Sequence, residues 1–211
     1  MIEDLDFETY LYISKDKFQI FVLNKKKLKN LYSQELKIDH QFDFKDLNIL
    51  LNFLDKNIYK IEKLIGNFVK NIILIVENKK NLEINMGIKK NYETSLKQKS
   101  FSSNLTELKD LFKKNYQDQT IMHMCIINYI IDGKRYSSFD TKLINDYFCI
   151  EVSFIAIDNK LVFAFDNVLE KYQIKIKQYM CGNYINNFIG DTGDEISIIA
   201  NKLRNGLNIN E

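Results

Sequence analysis

Residues Ile121–Gly133 read IMHMCIINYIIDG, a long run rich in β-branched and apolar side chains that ends in turn residues. Asp132-Gly133-Lys134 has the chemistry that reverses a chain, so the run is expected to be a strand broken at its C-terminal end. A second long strand is expected at Tyr147–Ile157. On the N-terminal side a shorter strand, Leu82–Ile88, is followed by a polar stretch from Lys89 to Ser103. Asn104, with Glu107 three residues on, has the spacing of a helix start. Leu105, Leu108, Leu111 and Phe112 supply that helix with an apolar face. Residues 82–157 therefore read β-α-β-β, a small sheet with one helix.

The flanking sequence has a different order. Tyr10–Ser14 and Phe18–Leu23, joined by Lys-Asp-Lys, form a hairpin pattern, and Leu28–Ile38 adds a third antiparallel strand. Lys25-Lys26-Lys27 between them could contact phosphate, but a solvated turn is the preferred reading. Asp43 is placed to cap the next element. Leu47, Leu50, Leu51, Leu54, Ile58, Ile61 and Ile65 recur at steps of three and four, one stripe on a helix. Ile72–Val76 is continuously apolar, as in a strand covered on both faces. After the inserted β-α-β-β piece come a helix marked by Leu161, Phe165, Val168 and Leu169, a strand at Ile174–Tyr179, and a helical turn or two at Tyr184–Ile189. Glu195–Leu203 and Leu207–Glu211 flank Asn205-Gly206, which reads as a hairpin, with a helix over 194–206 as the competing assignment.

The 211 residues suffice for one sizeable core, burying roughly 70% of the extended-chain surface, so disulfides are not needed. Thirty basic residues against 28 acidic give a net charge of +2, which creates no chain-wide field to collect nucleic acid or an anionic membrane. Seven glycines include neither a dinucleotide fingerprint nor a phosphate loop of the Walker type. Three cysteines without a C-x-x-C pair point to a reducing compartment. The acidic start MIEDLDFETY reads as no signal peptide, and no apolar run reaches the roughly 18 residues of a membrane span.

Few residues invite chemistry. His123 and Cys125 share a strand face, and Cys149 could join them in a metal site, but packing in a sheet is the preferred reading. His40 is a single loop imidazole. Asp191-Thr192-Gly193 matches the D-T-G of aspartic proteases, yet no second copy exists to share a proton. An acidic residue and a glycine in a tight turn also suit the phosphate and magnesium of a nucleotide, because glycine lets backbone N–H groups approach closely.

Taken with the order of elements, the chain resembles the first half of the FtsA family, actin-like bacterial cell-division proteins. The stretch Ile121–Gly133 resembles that family's apolar strand ending in Tyr-x-Val-Asp-Gly, with Tyr129, Ile131, Asp132 and Gly133 in register. The strand YFCIEVSFIAID, the helix LVFAFDNVLEKY and the strand IKIKQYM follow in the family's order. The resemblance implies an α/β fold with an actin-like (ribonuclease H-like) first subdomain at 1–80 and 158–190. It implies an inserted SHS2-like subdomain at 81–157, with 191–211 starting a second lobe or forming a tail. At the family's first phosphate motif, Asp-x-Gly-Ser, stand Tyr12, Ile13, Ser14 and Lys15, so the acid and the glycine are gone. At the second phosphate loop Asp191 and Gly193 match, with Ser197 near a family hydroxyl, but a further Gly and Thr are missing.

The function implied is a divisome role through protein contacts, linking the FtsZ ring and later division components at the inner face of the membrane, with self-association. Membrane contact would be indirect, since Glu195–Glu211 does not resemble the family's membrane helix, and the chain reads as a truncated member or a fragment. Tyr129, Ile131, Asp132, Gly133 and Tyr136 are the expected partner surface, against a plain strand end as the alternative. A second reading is a weak actin-like ATPase binding Mg-ATP, with Ser14, Lys15 and Lys17 near the phosphates and Asp191 on magnesium. A third is a pilus-assembly protein of the same actin-like group.

Overall fold

The computed structural model describes residues 6–39, 42–44, 46–91, 99–138, 147–189 and 193–206. The chain divides into two compact units, Met1–Lys80 with Leu161–Glu211, and Asn81–Lys160.

The first unit is built on a five-stranded sheet. β1 (Phe7–Ile13), β2 (Lys17–Asn24) and β3 (Lys29–Lys37) form the antiparallel meander, then α1 (Asn48–Ile65) crosses over to β4 (Asn71–Val76). After the second unit, α3 (Asn159–Glu170) leads to β9 (Lys175–Cys181), and α4 (Gly182–Asn186) and α5 (Ile196–Arg204) end the described chain. The sheet order is β3-β2-β1-β4-β9, with β4 parallel to both β1 and β9. Alternation along each strand divides the core. Tyr10, Tyr12, Phe21, Leu23, Ile73, Ile75 and Met180 face Ile185 of α4 and Ile196, Ile199 and Ala200 of α5. On the opposite face Phe18 meets Phe53 of α1, and Phe44 meets Phe165 of α3.

Two helix starts and one hairpin depart from the sequence reading. The N–H of Asn48 is accepted by the Asp46 carboxylate at 3.1 Å, and Asp43 instead accepts the Asp46 N–H through its backbone carbonyl, so Asp43 does not cap α1. The segment read as a C-terminal hairpin is helical from Ile196 to Arg204, the competing assignment. Gly206 (φ +70°) closes that helix, since an Asn-Gly pair that reverses a hairpin equally supplies the positive φ that ends a helix.

The second unit has strand order β5-β8-β6-β7, from β5 (Leu82–Asn91), β6 (Gln119–Ile131), β7 (Lys134–Tyr136) and β8 (Tyr147–Asp158). α2 (Lys99–Asn115) lies on one face, its Leu108 and Phe112 packed against Phe148, Ile150, Val152 and Phe154. Phe112 stacks on Phe154 with centroids 4.8 Å apart. The helix starts five residues before the expected Asn104, which lies in its interior and is buried. Mixed α/β architecture with two sheets, as the sequence led one to expect, is the observed class.

Candidate functional site

The C-terminal ends of β1, β4 and β9 meet at one end of the first sheet, beside the β1–β2 turn. Register fixes this: Ile13 lies opposite Val76, and Val76 opposite Cys181. A cleft of about 410 Å³ opens there, lined by Tyr12, Lys17, Phe21, Glu77, Asn186 and Glu195 among others.

Its floor is a hydrogen-bonded trio. The buried Tyr12 hydroxyl donates to the Glu77 carboxylate, which also accepts from the Asn186 amide at 2.6 Å. Burial, reinforced by the bond to Glu77, pushes the Tyr12 phenol far above its ordinary range, so it remains a neutral donor. Glu77 is fixed by its own N–H donating to the Ile13 carbonyl at 2.8 Å. At Gly182, a Cβ would lie 2.9 Å from Glu77 Cβ and 3.0 Å from its backbone nitrogen, so only glycine permits α4 to start against Glu77. Lys17 Nζ stands 5.6 Å from the Tyr12 ring centroid and 3.9 Å from Glu35. Asp16, Glu77, Asp194 and Glu195 also line the cleft, and Lys202 is paired with Asp194 at 2.5 Å. Acidic groups outnumber Lys17 in this lining, which favours a cationic or amide-bearing group over a polyphosphate without a metal ion.

Of the six residues expected at a nucleotide, five are among the described residues. Lys17 lines the cleft. Ser14 is buried, its hydroxyl accepting the Lys17 N–H at 3.1 Å and donating to Asp16 inside the hairpin turn. Lys15 is exposed at the tip of that turn. Ser197 is fully buried and exchanges hydrogen bonds with Asn30 of β3 at 2.8 and 3.1 Å. Gly193 takes φ +66° and donates its N–H to the Ile189 carbonyl. Asp191 lies outside the described residues. Glu77, Asn186 and Gly182 were missed by sequence reasoning. The available signal was an acidic residue directly after the buried run Ile72–Val76, at a strand's C-terminal end, where α/β sites gather.

In the second unit, Asp132 (φ 47°) and Gly133 (φ 84°) form a two-residue turn joining β6 to β7, with Tyr129 opposite Tyr136. The Asp132 carboxylate accepts the Tyr147 N–H at 2.9 Å and so ties the start of β8 to the turn. Ile131 is buried, and Tyr129 and Tyr136 pack against the core. Of this set, Gly133 alone is exposed, next to exposed Lys134 and Arg135. His123 lies opposite Ile155 and Cys125 opposite Ser153, while Cys149 pairs with Ile130. Four residues along β8 separate Ser153 from Cys149, about 13 Å, too far for one metal ion. No group of three metal-ligating side chains occurs among the described residues. Burial lowers the His123 imidazole to about 4, so it is neutral near physiological pH. His40 lies outside the described residues.

No family model and no curated protein matches this chain. Solved structures do. A chain of a PilM-PilN type IV pilus biogenesis complex aligns with a TM-score of 0.53 at 6% identity, over 88% of this chain and 50% of that one. The cytoplasmic domain of EpsL, an inner-membrane component of the type II secretion system of Vibrio cholerae, gives a TM-score of 0.39 at 9% identity, over 83% and 57%. A Bacteroides thetaiotaomicron protein with an actin-like ATPase fold and unknown function gives 0.32 at 15% identity, over 89% and 58%. The first shares the fold, and the other two matches are too loose to add to it. The chain spans between half and three-fifths of the solved chains it matches.

Proposed function

We propose that this chain is an actin-like assembly component of a membrane-associated machine of the pilus-biogenesis kind, working at the cytoplasmic face through protein contacts rather than nucleotide turnover. The observation that carries the reading is the Tyr12–Glu77–Asn186 trio. It occupies the strand ends where the resemblance placed a phosphate, and presents a neutral phenol and acidic groups there. The fold shared with a chain of the PilM-PilN complex supports the pilus-type alternative over the cell-division reading.

Co-expression with the products of the neighbouring genes tests this directly. Stable co-purification with a membrane pilus-assembly protein of the PilN type is the expected result. Co-purification with a tubulin-like ring protein instead, from a neighbourhood of cell-wall genes, replaces it with the division reading.

A further inference from the structure

The opposite end of the first sheet gathers a charge that the balanced composition conceals. Register levels five strands there: Lys29 pairs with Asn24, Asn24 with Phe7, and Asn71 with Lys175. Tyr10 pairs with Ile73 in parallel, which puts Lys70 level with Phe7. The Lys175 N–H donates to the Lys70 carbonyl at 3.0 Å, and the Lys25 N–H to the Asp6 carbonyl at 2.9 Å. Lys26, Lys27, Lys29, Lys70, Lys175 and Lys177 are all exposed along this edge. Five strands make it about 19 Å wide.

Two apolar side chains protrude beside these lysines. Gly66 ends α1 in the left-handed conformation, and the chain turns through Phe68, 75% exposed, into β4, while Leu64 of the last helical turn is 50% exposed. A hollow of about 280 Å³ lies between Phe7, Phe68, Lys70 and Lys177. Three nearby acids are engaged. Asp6 pairs with Lys25 at 2.6 Å, Glu8 with Arg204 at 2.6 Å and Lys177 at 3.6 Å, and Glu62 accepts the Val69 N–H. Glu170 is exposed at the end of α3, and Glu3 and Asp4 lie outside the described residues.

We propose that this edge docks onto an anionic phospholipid membrane, with the lysines in the headgroup layer and Phe68 and Leu64 entering the interface. A wide row of cations from separate segments, level with one another and flanked by protruding apolar groups, complements a charged plane. An acidic peptide is better served by a narrow channel. The inference is independent of the partner reading above, because it uses no residue of the acidic cleft.

The test is co-sedimentation of the full chain with vesicles of phosphatidylcholine alone, or with about 30% phosphatidylserine. Binding is expected only with phosphatidylserine in about 0.1 M salt, and its loss in about 1 M salt, where screening shortens to about 3 Å. Each lysine near the surface is worth roughly fivefold in partition, so the triple variant Lys26→Glu, Lys70→Glu, Lys175→Glu is expected to lose roughly a hundredfold or more. Phe68→Ser is expected to weaken binding while leaving its salt dependence, and Lys15→Glu, at the other end of the sheet, to change nothing. Circular dichroism verifies that each variant is folded. No sedimentation with phosphatidylserine, equal sedimentation with neutral vesicles, or full binding by the folded triple variant overturns the proposal. So does capture by polyglutamate without vesicle binding.

Discussion

The Tyr12 hydroxyl donates to the Glu77 carboxylate, tying the end of β1 to the residue that follows β4 across a sequence separation of 65. Glu77 in turn accepts from Asn186, which follows β9 by way of α4. Three strand ends are thereby tied to one carboxylate, which forms the floor of the cleft.

Breaking this closure has a definite cost. Tyr12→Phe removes a donor from a charged acceptor and is expected to lower unfolding stability by about 1.5–3 kcal/mol. Denaturant titration at constant m-value measures it. An unchanged midpoint means the bond only balances the solvation that the two groups give up.

Gly182 makes a sharper case. The added methyl of Gly182→Ala meets Glu77 backbone atoms and is expected to destabilise by about 1–3 kcal/mol. At Gly193, by contrast, a Cβ meets nothing within 4 Å, and only the left-handed φ of +66° opposes substitution. Alanine there is expected to cost less, about 1 kcal/mol. Equal midpoints for the two variants would show that the Gly182 contact relaxes freely.

These contrasts bear on how much the sequence disclosed. The stripe Leu50, Leu54, Ile58 and Ile61 made α1 legible because helical period and burial coincide there. The same rule applied to Ile196, Ile199, Ala200 and Leu203 points to a helix, but the Asn205-Gly206 turn signal after it equally suits a hairpin. Asn104 misled because its capping spacing with Glu107 is real, yet α2 already runs from Lys99 and buries it. The cleft was only partly legible. Lys17 lies where local pattern puts it, whereas Glu77 and Asn186 meet Tyr12 only once parallel pairing brings distant strand ends together. Likewise the lysine edge draws on three separated segments, and no sequence window contains it.

Glu8 links folding to pH. Burial favours its neutral form, but the Tyr10 hydroxyl, Arg204 and Lys177 outweigh burial and hold the carboxyl below its ordinary 4.5. A depressed carboxylate stabilises the fold above the unfolded-state value and loses that stabilisation as pH falls through the folded one. Stability of the wild type should therefore drop as the solution is taken below 4.5, with a shallower drop in Glu8→Gln. Identical slopes contradict the assignment.

His123 acts in the same acid direction by another route. Its folded value of about 4, against an ordinary 6.5, means that the unfolded chain binds the extra proton between these limits. Its contribution is full above 6.5, declines as pH falls, and levels off below about 4. Imidazole proton shifts read this directly, since the chain has only two histidines. A midpoint near 6.5 for His123 would show it to be solvated.

Asp132 is expected to matter for folding. Asp132→Ala loses the bond to the Tyr147 N–H and places alanine at φ 47°, and should lower stability by about 1–3 kcal/mol, whereas Asp132→Asn retains most of it. If Asp132→Ala leaves stability intact while abolishing partner binding, the turn belongs to an interface instead.

The most direct test of the central claim is a nuclear magnetic resonance titration of the natural full-length protein with Mg-ATP, following Tyr12, Lys17, Glu77 and Asn186. Closure of the strand ends by the Tyr12–Glu77–Asn186 trio predicts that none of these resonances shifts as nucleotide is added. Saturable shifts at all four, abolished by Lys17→Met, would contradict it and return the cleft to a nucleotide site.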